Sequence, residues 1–260
     1  MAGVVNMKGC EHNIEGYQTT RSSTMPDKDN YVDLRISDGT TMATYVARPK
    51  GTGKHPGILV SQEAFGVNPY IRDVANRFAK EGFTAIAPEL FHRTGQGFEG
   101  TYTDFGATQQ HISKLTNEGL EADIRATHDW LTKDSGTDAA KIFSVGFCMG
   151  GRVSYLANST VPLAAAVSFY GAGIAPGLLD RVKNLHGPML FFWGGLDKHI
   201  LPEHTRAVED ALRAAGKDFG SVTFSYADHG FFCDQRPAYN EKASKQAWPM
   251  VLEFLKYHIV

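Results

Sequence analysis

From Pro56 onward, short runs of continuous apolar residues alternate with longer segments whose apolar residues recur every three or four positions. The runs are PGILVSQ (56–62), FTAIAP (83–88), IFSVGF (142–147), LAAAVSFYG (163–171), PMLFFWGG (188–195) and VTFSYA (222–227). A strand without a polar face is buried on both sides, which is the habit of a parallel sheet. The intervening segments are helical. PYIRDVANRFAKEG places Ile71, Val74, Ala75, Phe78 and Ala79 on one face, with Gly82 as a stop. Glu118–Lys133, the segment after Cys148, Pro202–Ala215 and Tyr239–Tyr257 follow the same rule. This alternation excludes helical bundles and β-sandwiches. It predicts one α/β domain with a mostly parallel sheet and helices on both faces. Upstream, YVDLRIS and TTMATYVAR flank Asp38-Gly39, a hairpin signal. Residues 1–30 show no sustained period and read as a polar N-terminal arm, so the domain spans 31–260.

Composition removes several classes of function. Lys and Arg number 26 against 28 Asp and Glu, with no basic run to neutralise a phosphate backbone, so nucleic acid is not an expected partner. No apolar stretch reaches the roughly 18 residues of a membrane span. The start lacks a basic segment followed by an apolar one, and Cys10, Cys148 and Cys233 are too few for a disulfide framework or a zinc site. The expectation is a cytoplasmic protein with no metal and no cofactor. Nucleotide-loop signatures are absent as well.

Chemistry concentrates at Gly146-Phe147-Cys148-Met149-Gly150-Gly151, between a buried strand and a helix. This is the nucleophile-elbow pattern G-x-S-x-G with cysteine in the serine place. A sharp turn there projects the side chain above the strand ends, and small neighbours let strand and helix approach. A sulfur at a helix N-terminus is also favoured as thiolate. The bland alternative is a buried cysteine in a Gly-rich turn.

In an elbow architecture the acid and then the base follow, each after a later strand. Asp197 comes after PMLFFWGG and His229 after VTFSYA, at the sheet edge where ligands gather in open α/β folds. Read singly, they are a turn aspartate and a loop histidine; in this order with Cys148 they form a triad. His199 and His92 are competing bases and Asp228 a competing acid.

These residues, with SQEAFGVN (61–68), APELFHR (87–93), GGLDKHILP (194–202) and DHGF (228–231), resemble the dienelactone hydrolase (carboxymethylenebutenolidase) family, a cysteine-using branch of the α/β-hydrolase fold. The resemblance covers Tyr31 to the C-terminus. It implies a hydrolase of small-molecule esters or lactones, anionic ones above all, acting through a thioester on Cys148. It gives Glu63 the control of the cysteine's ionisation, from a place near the resting thiol. It gives Arg93 the substrate carboxylate, and the backbone N–H groups of Met149 and Ala64 the oxyanion. The chain departs from the family at Cys233, where the prototype has a second carboxylate-binding arginine. The nearest arginine, Arg236, lies seven residues after His229, so either it folds back to serve or Arg93 acts alone. Phe65, Phe91, Tyr170, Phe231 and Phe232 are pocket wall or core, with Tyr170 and Phe231 placed against the substrate. Two other readings stay open: a broad-specificity carboxylesterase, and a non-catalytic ligand-binding or redox-sensing protein on this fold.

Overall fold

Eight strands form one sheet in the order β1-β2-β4-β3-β5-β6-β7-β8. The structure is a computed structural model that describes residues 30–259; the N-terminal arm, apart from Asn30, and Cys10 lie outside the described residues. β1 (Tyr31–Arg35) and β2 (Thr41–Ala47) make the hairpin expected around Asp38-Gly39, and β2 runs antiparallel to β4 (Thr84–Pro88). β3 (His55–Ser61), β5 (Thr137–Phe147), β6 (Ala165–Phe169), β7 (Met189–Gly194) and β8 (Phe219–Phe224) continue the sheet in parallel. The central strands β4, β6 and β7 are buried at every position, as their unbroken apolar runs require.

Helices α3 (Asn117–Lys133) and α4 (Met149–Thr160) pack together against β5. On the opposite face α1 (Pro69–Lys80) and α6 (Glu241–Tyr257) meet through Phe78 and Trp248, with ring centroids 4.8 Å apart. α5 (Pro202–Ala214) follows β7. The helix starts obey local chemistry: Asn68, Thr116 and Asn240 each cap a helix by accepting a backbone N–H with the side chain. Two features depart from the sequence expectation. α2 (Phe105–Ile112) carries only a weak apolar stripe and was not expected. β5 begins five residues early, with a register shift at Pro56/Gly57 that accommodates the extra residues. Among the described residues no helix is long and apolar enough to cross a membrane.

Parallel strands point all their carboxyl ends the same way. Glu63 therefore follows β3, Cys148 follows β5, Tyr170 follows β6, Asp197 follows β7, and His229 lies just beyond β8, all along one edge.

Candidate active site

Cys148 is the turn between β5 and α4, and its backbone sits at φ 54°, ψ −118°. A non-glycine residue there is strained, and the turn is held by its neighbours: Cys148 N–H donates to Phe169 O at 3.0 Å, and its carbonyl accepts from Gly151 N–H at 2.9 Å. Gly150 makes the approach possible, because a Cβ there would stand 2.2 Å from Ser61 O and 2.5 Å from Gln62 O. The first turn of α4 is thereby pressed against the end of β3. That contact brings the loop holding Glu63 and Ala64 to the elbow.

His229 links the other two groups. Its Nε2 lies 3.0 Å from Cys148 Sγ and its Nδ1 2.7 Å from Asp197 Oδ2. The second carboxylate oxygen of Asp197 accepts from the backbone N–H groups of His199 at 2.7 Å and Ile200 at 3.1 Å. Its side chain is 1% exposed, so the acid has one orientation. Burial disfavours charge on His229, but the hydrogen bonds and charges of Asp197 and Cys148 outweigh it and push its pKa up to about 10. Burial likewise pushes Asp197 up, and the His229 contact with the two backbone donors brings it below its ordinary value.

The competing groups fall elsewhere. Asp228 accepts the backbone N–H of His229 at 2.7 Å and does not hold the ring. His92 is bonded to Asp123 at 3.1 Å. His199 is exposed, with its ring edge-on to His229 at 5.3 Å between centroids.

Glu63 is buried beside this unit, but Arg236 is its hydrogen-bond partner. Arg236 Nη1 donates to Glu63 Oε1 at 3.1 Å, while the hydrogen bond of Cys148 goes to His229. Glu63 is a carboxylate engaged by a guanidinium, within reach of the charge on His229. Burial pushes Glu63 up, and the positive charges of Arg236 and His229 oppose it. Arg236 has thus folded back from seven residues beyond His229, crossing Gly230 so closely that a Cβ there would stand 2.3 Å from Nη1. Its guanidinium also lies 5.6 Å from the centre of the Phe65 ring.

Arg93 is also held by carboxylates of the protein. It follows β4 as expected, but Nε donates to Asp38 at 2.6 Å and Nη1 and Nη2 donate to the two oxygens of Asp123 at 2.9 Å each. It lines a cavity of about 530 Å³ with Asp38, Leu90, Lys114 and Thr116, none of which belongs to the Cys148 cluster. Both carboxylates come from distant segments, the hairpin turn and α3, so local sequence gave no sign of them.

The aromatic residues are core. Tyr170 and Phe231 are fully buried and pack on each other, and Tyr170 also packs on His229. Phe91 stacks on His111 and Phe232 on Phe147. Cys233 is buried, its thiol donating to Tyr102 Oη at 3.4 Å, and burial together with the nearby Glu63 charge pushes its pKa up to about 12. That environment keeps it a thiol. Tyr102 was missed by sequence reasoning: it bonds Asn68 at 2.9 Å and packs on Phe65, in a stretch without apolar periodicity. Met149 is the first residue of α4, so its N–H is one of the free donors of a helix start. Ala64 is buried beside Glu63. Among the described residues no group of three or more His, Cys, Asp or Glu side chains could hold a metal.

Residues 42–259 match the sequence model of the dienelactone hydrolase family. A Synechocystis protein bearing the name carboxymethylenebutenolidase is 36% identical over 224 residues, which are 83% of this chain and 91% of that protein. The Escherichia coli K12 protein of the same name is 34% identical over 85% of this chain and 84% of its own length. A crystal structure from Klebsiella pneumoniae that bears the name dienelactone hydrolase superposes with a TM-score of 0.79 at 34% identity, covering 86% of this chain and 97% of that one.

Proposed function

This chain belongs to the dienelactone hydrolase family and hydrolyses ester or lactone bonds, and on that premise we propose that Cys148, His229 and Asp197 carry the reaction through a thioester. The observation that carries the reading is the bridge made by His229, 3.0 Å from Cys148 Sγ and 2.7 Å from Asp197. The sulfur attacks the carbonyl carbon as thiolate, with the proton on His229. Oxyanion charge develops toward the N–H groups of Met149 and Ala64. Collapse breaks the ester C–O bond, and the imidazolium returns its proton to the departing oxygen. Water, deprotonated by His229, then cleaves the thioester and regenerates the thiol. Asp197 holds the imidazole tautomer throughout. Enol lactones suit this site because an enolate departs with little protonation.

Arg236 supplies the binding charge for an anionic substrate. It is 19% exposed beside Glu63, and the charges of Glu63 and Cys148 outweigh burial to keep it firmly protonated. Glu63 controls the cysteine through this guanidinium: a substrate carboxylate that draws Arg236 away leaves a buried carboxylate in need of a proton. The engagement of Arg93 by Asp38 and Asp123 favours a second reading, a carboxylesterase with broader substrate choice.

The test is hydrolysis of p-nitrophenyl acetate beside an anionic enol lactone. Cys148→Ala and His229→Ala should each abolish turnover of both, and the double variant should lose little more, because the groups act as one unit. Wild-type rates in Cys148→Ala would remove the mechanism.

A further inference from the structure

Among the described residues, two that are not glycine adopt positive φ: Cys148 at 54° and Tyr170 at 37°. They are neighbours. β5 and β6 run in register with Phe147 opposite Phe169, so Cys148 and Tyr170 leave adjacent strand ends side by side. Each is pinned from the next strand over, Cys148 N–H by Phe169 O at 3.0 Å and Tyr170 N–H by Phe192 O at 2.7 Å. A fully buried tyrosine gains nothing locally from a left-handed backbone. What the conformation achieves is placement of the ring, whose centroid lies 5.1 Å from that of His229 at an interplanar angle of 59°.

We propose that Tyr170 is a positioning residue, whose ring is set beside the His229 imidazole and favours its charged form by a cation–π contact. The separation is inside the roughly 6 Å over which an aromatic face attracts a cation, and the desolvated setting strengthens the attraction. The phenol hydroxyl has no part in this. It is buried without a hydrogen-bond partner, and burial keeps it protonated. The inference rests on the Cys148–His229 reading above, since an imidazolium is its object. The other charged or titratable groups around His229 are Asp197, Cys148, Asp228 at its backbone, His199 edge-on at 5.3 Å, and Glu63 with Arg236 behind the elbow. Asp197 and Cys148 take the two ring nitrogens, and the plane of the Tyr170 ring is tilted by 59° to that of the imidazole.

The experiment titrates the Cε1–H resonance of His229 in full-length protein carrying labelled histidine, assigned with His229→Asn. Tyr170→Phe keeps the ring and should keep the wild-type midpoint. Tyr170→Leu and Tyr170→Asn remove it, and asparagine accepts the left-handed backbone should leucine fail to fold. In either variant the midpoint should fall by about half to one pH unit. An unchanged midpoint in a folded ring-less variant, or an equal fall in Tyr170→Phe, overturns the proposal. Thiolate absorbance near 240 nm, wild type against Cys148→Ala, separates the two readings. If no such absorbance depends on Cys148, the ion pair and this inference both fall. If it does and the midpoints agree, this inference alone falls.

Discussion

Two arginines expected to hold a substrate carboxylate differ in what holds them. The Arg93 fork is matched on both oxygens of Asp123, whose side chain is fully buried, and its Nε is taken by Asp38. Arg236 meets a carboxylate at 3.1 Å, that of a glutamate whose other oxygen is buried without a hydrogen-bond partner. An incoming carboxylate can compete for the second guanidinium more easily than for the first. Arg236→Ala should therefore lower kcat/KM for an anionic lactone by about ten- to a hundredfold, the loss of a charge-assisted contact, and change a neutral methyl ester far less. Arg93→Ala should show no such preference for charge. Gly230→Ala is a gentler probe of the same idea. The added Cβ occupies the path of the guanidinium, and φ of +81° is already unfavourable for alanine, so the anionic substrate should again suffer selectively. Equal losses on charged and neutral substrates in both variants would move Arg236 from recognition to architecture.

The strands and helices that build the site were legible because each is specified by its own residues: Asn68-Pro69 starts α1, the run before Cys148 makes β5, and the Gly-rich turn makes the elbow. The chain order of Cys148, Asp197 and His229 then assigned the strand ends. What local pattern could not supply were pairings between elements. Arg93 meets Asp38 across 55 residues and Asp123 across 30, and nothing near APELFHR signals either. α2 escaped notice because FGATQQHI buries only Thr108 and His111. The Asp123 node ties α3 to the loop after β4, taking Arg93 on one side and His92 on the other. Asp123→Asn leaves a partly exposed guanidinium without its fork, and breaking a buried pair costs about 3 kcal/mol at the low end. Thermal melting should drop by roughly 6–10 °C for a chain of this size, with hydrolysis of the neutral ester retained at low temperature. A melt within a degree of wild type would show that the network contributes no net stability. At the elbow the tolerance is smaller. Gly150→Ala pushes a methyl into two backbone carbonyls, so it should cost both stability and turnover, read by melting and by ester hydrolysis.

The three proposed catalytic side chains come from the ends of β5 and β7 and the loop beyond β8, so their contacts exist only in the assembled sheet and their protonation is tied to folding of the whole chain. The signs differ between groups. His229 has a folded pKa of about 10 against an ordinary 6.5, so it contributes stability that is complete below about 6.5 and is lost as pH rises through about 10. Asp197 is depressed below its ordinary 3.8, so its contribution is present above that value and is lost in acid. Glu63 is raised above its ordinary 4.5 and acts against folding as pH climbs past that value, because the unfolded chain ionises it more readily. The alkaline side therefore separates His229 from Asp197, whose depressed pKa confines its titration to acid. Urea midpoints measured from pH 6 to 10.5 should show wild type losing stability relative to His229→Gln steadily from about pH 6.5 upward, the gap closing near pH 10. Lysines and tyrosines titrate alike in both proteins and cancel in the difference. A gap that stays constant from pH 6 to 10.5 would mean that His229 carries no excess proton in the fold, and the charged Cys148–His229 pair would have to be replaced by a neutral thiol and imidazole that exchange the proton only when a carbonyl arrives.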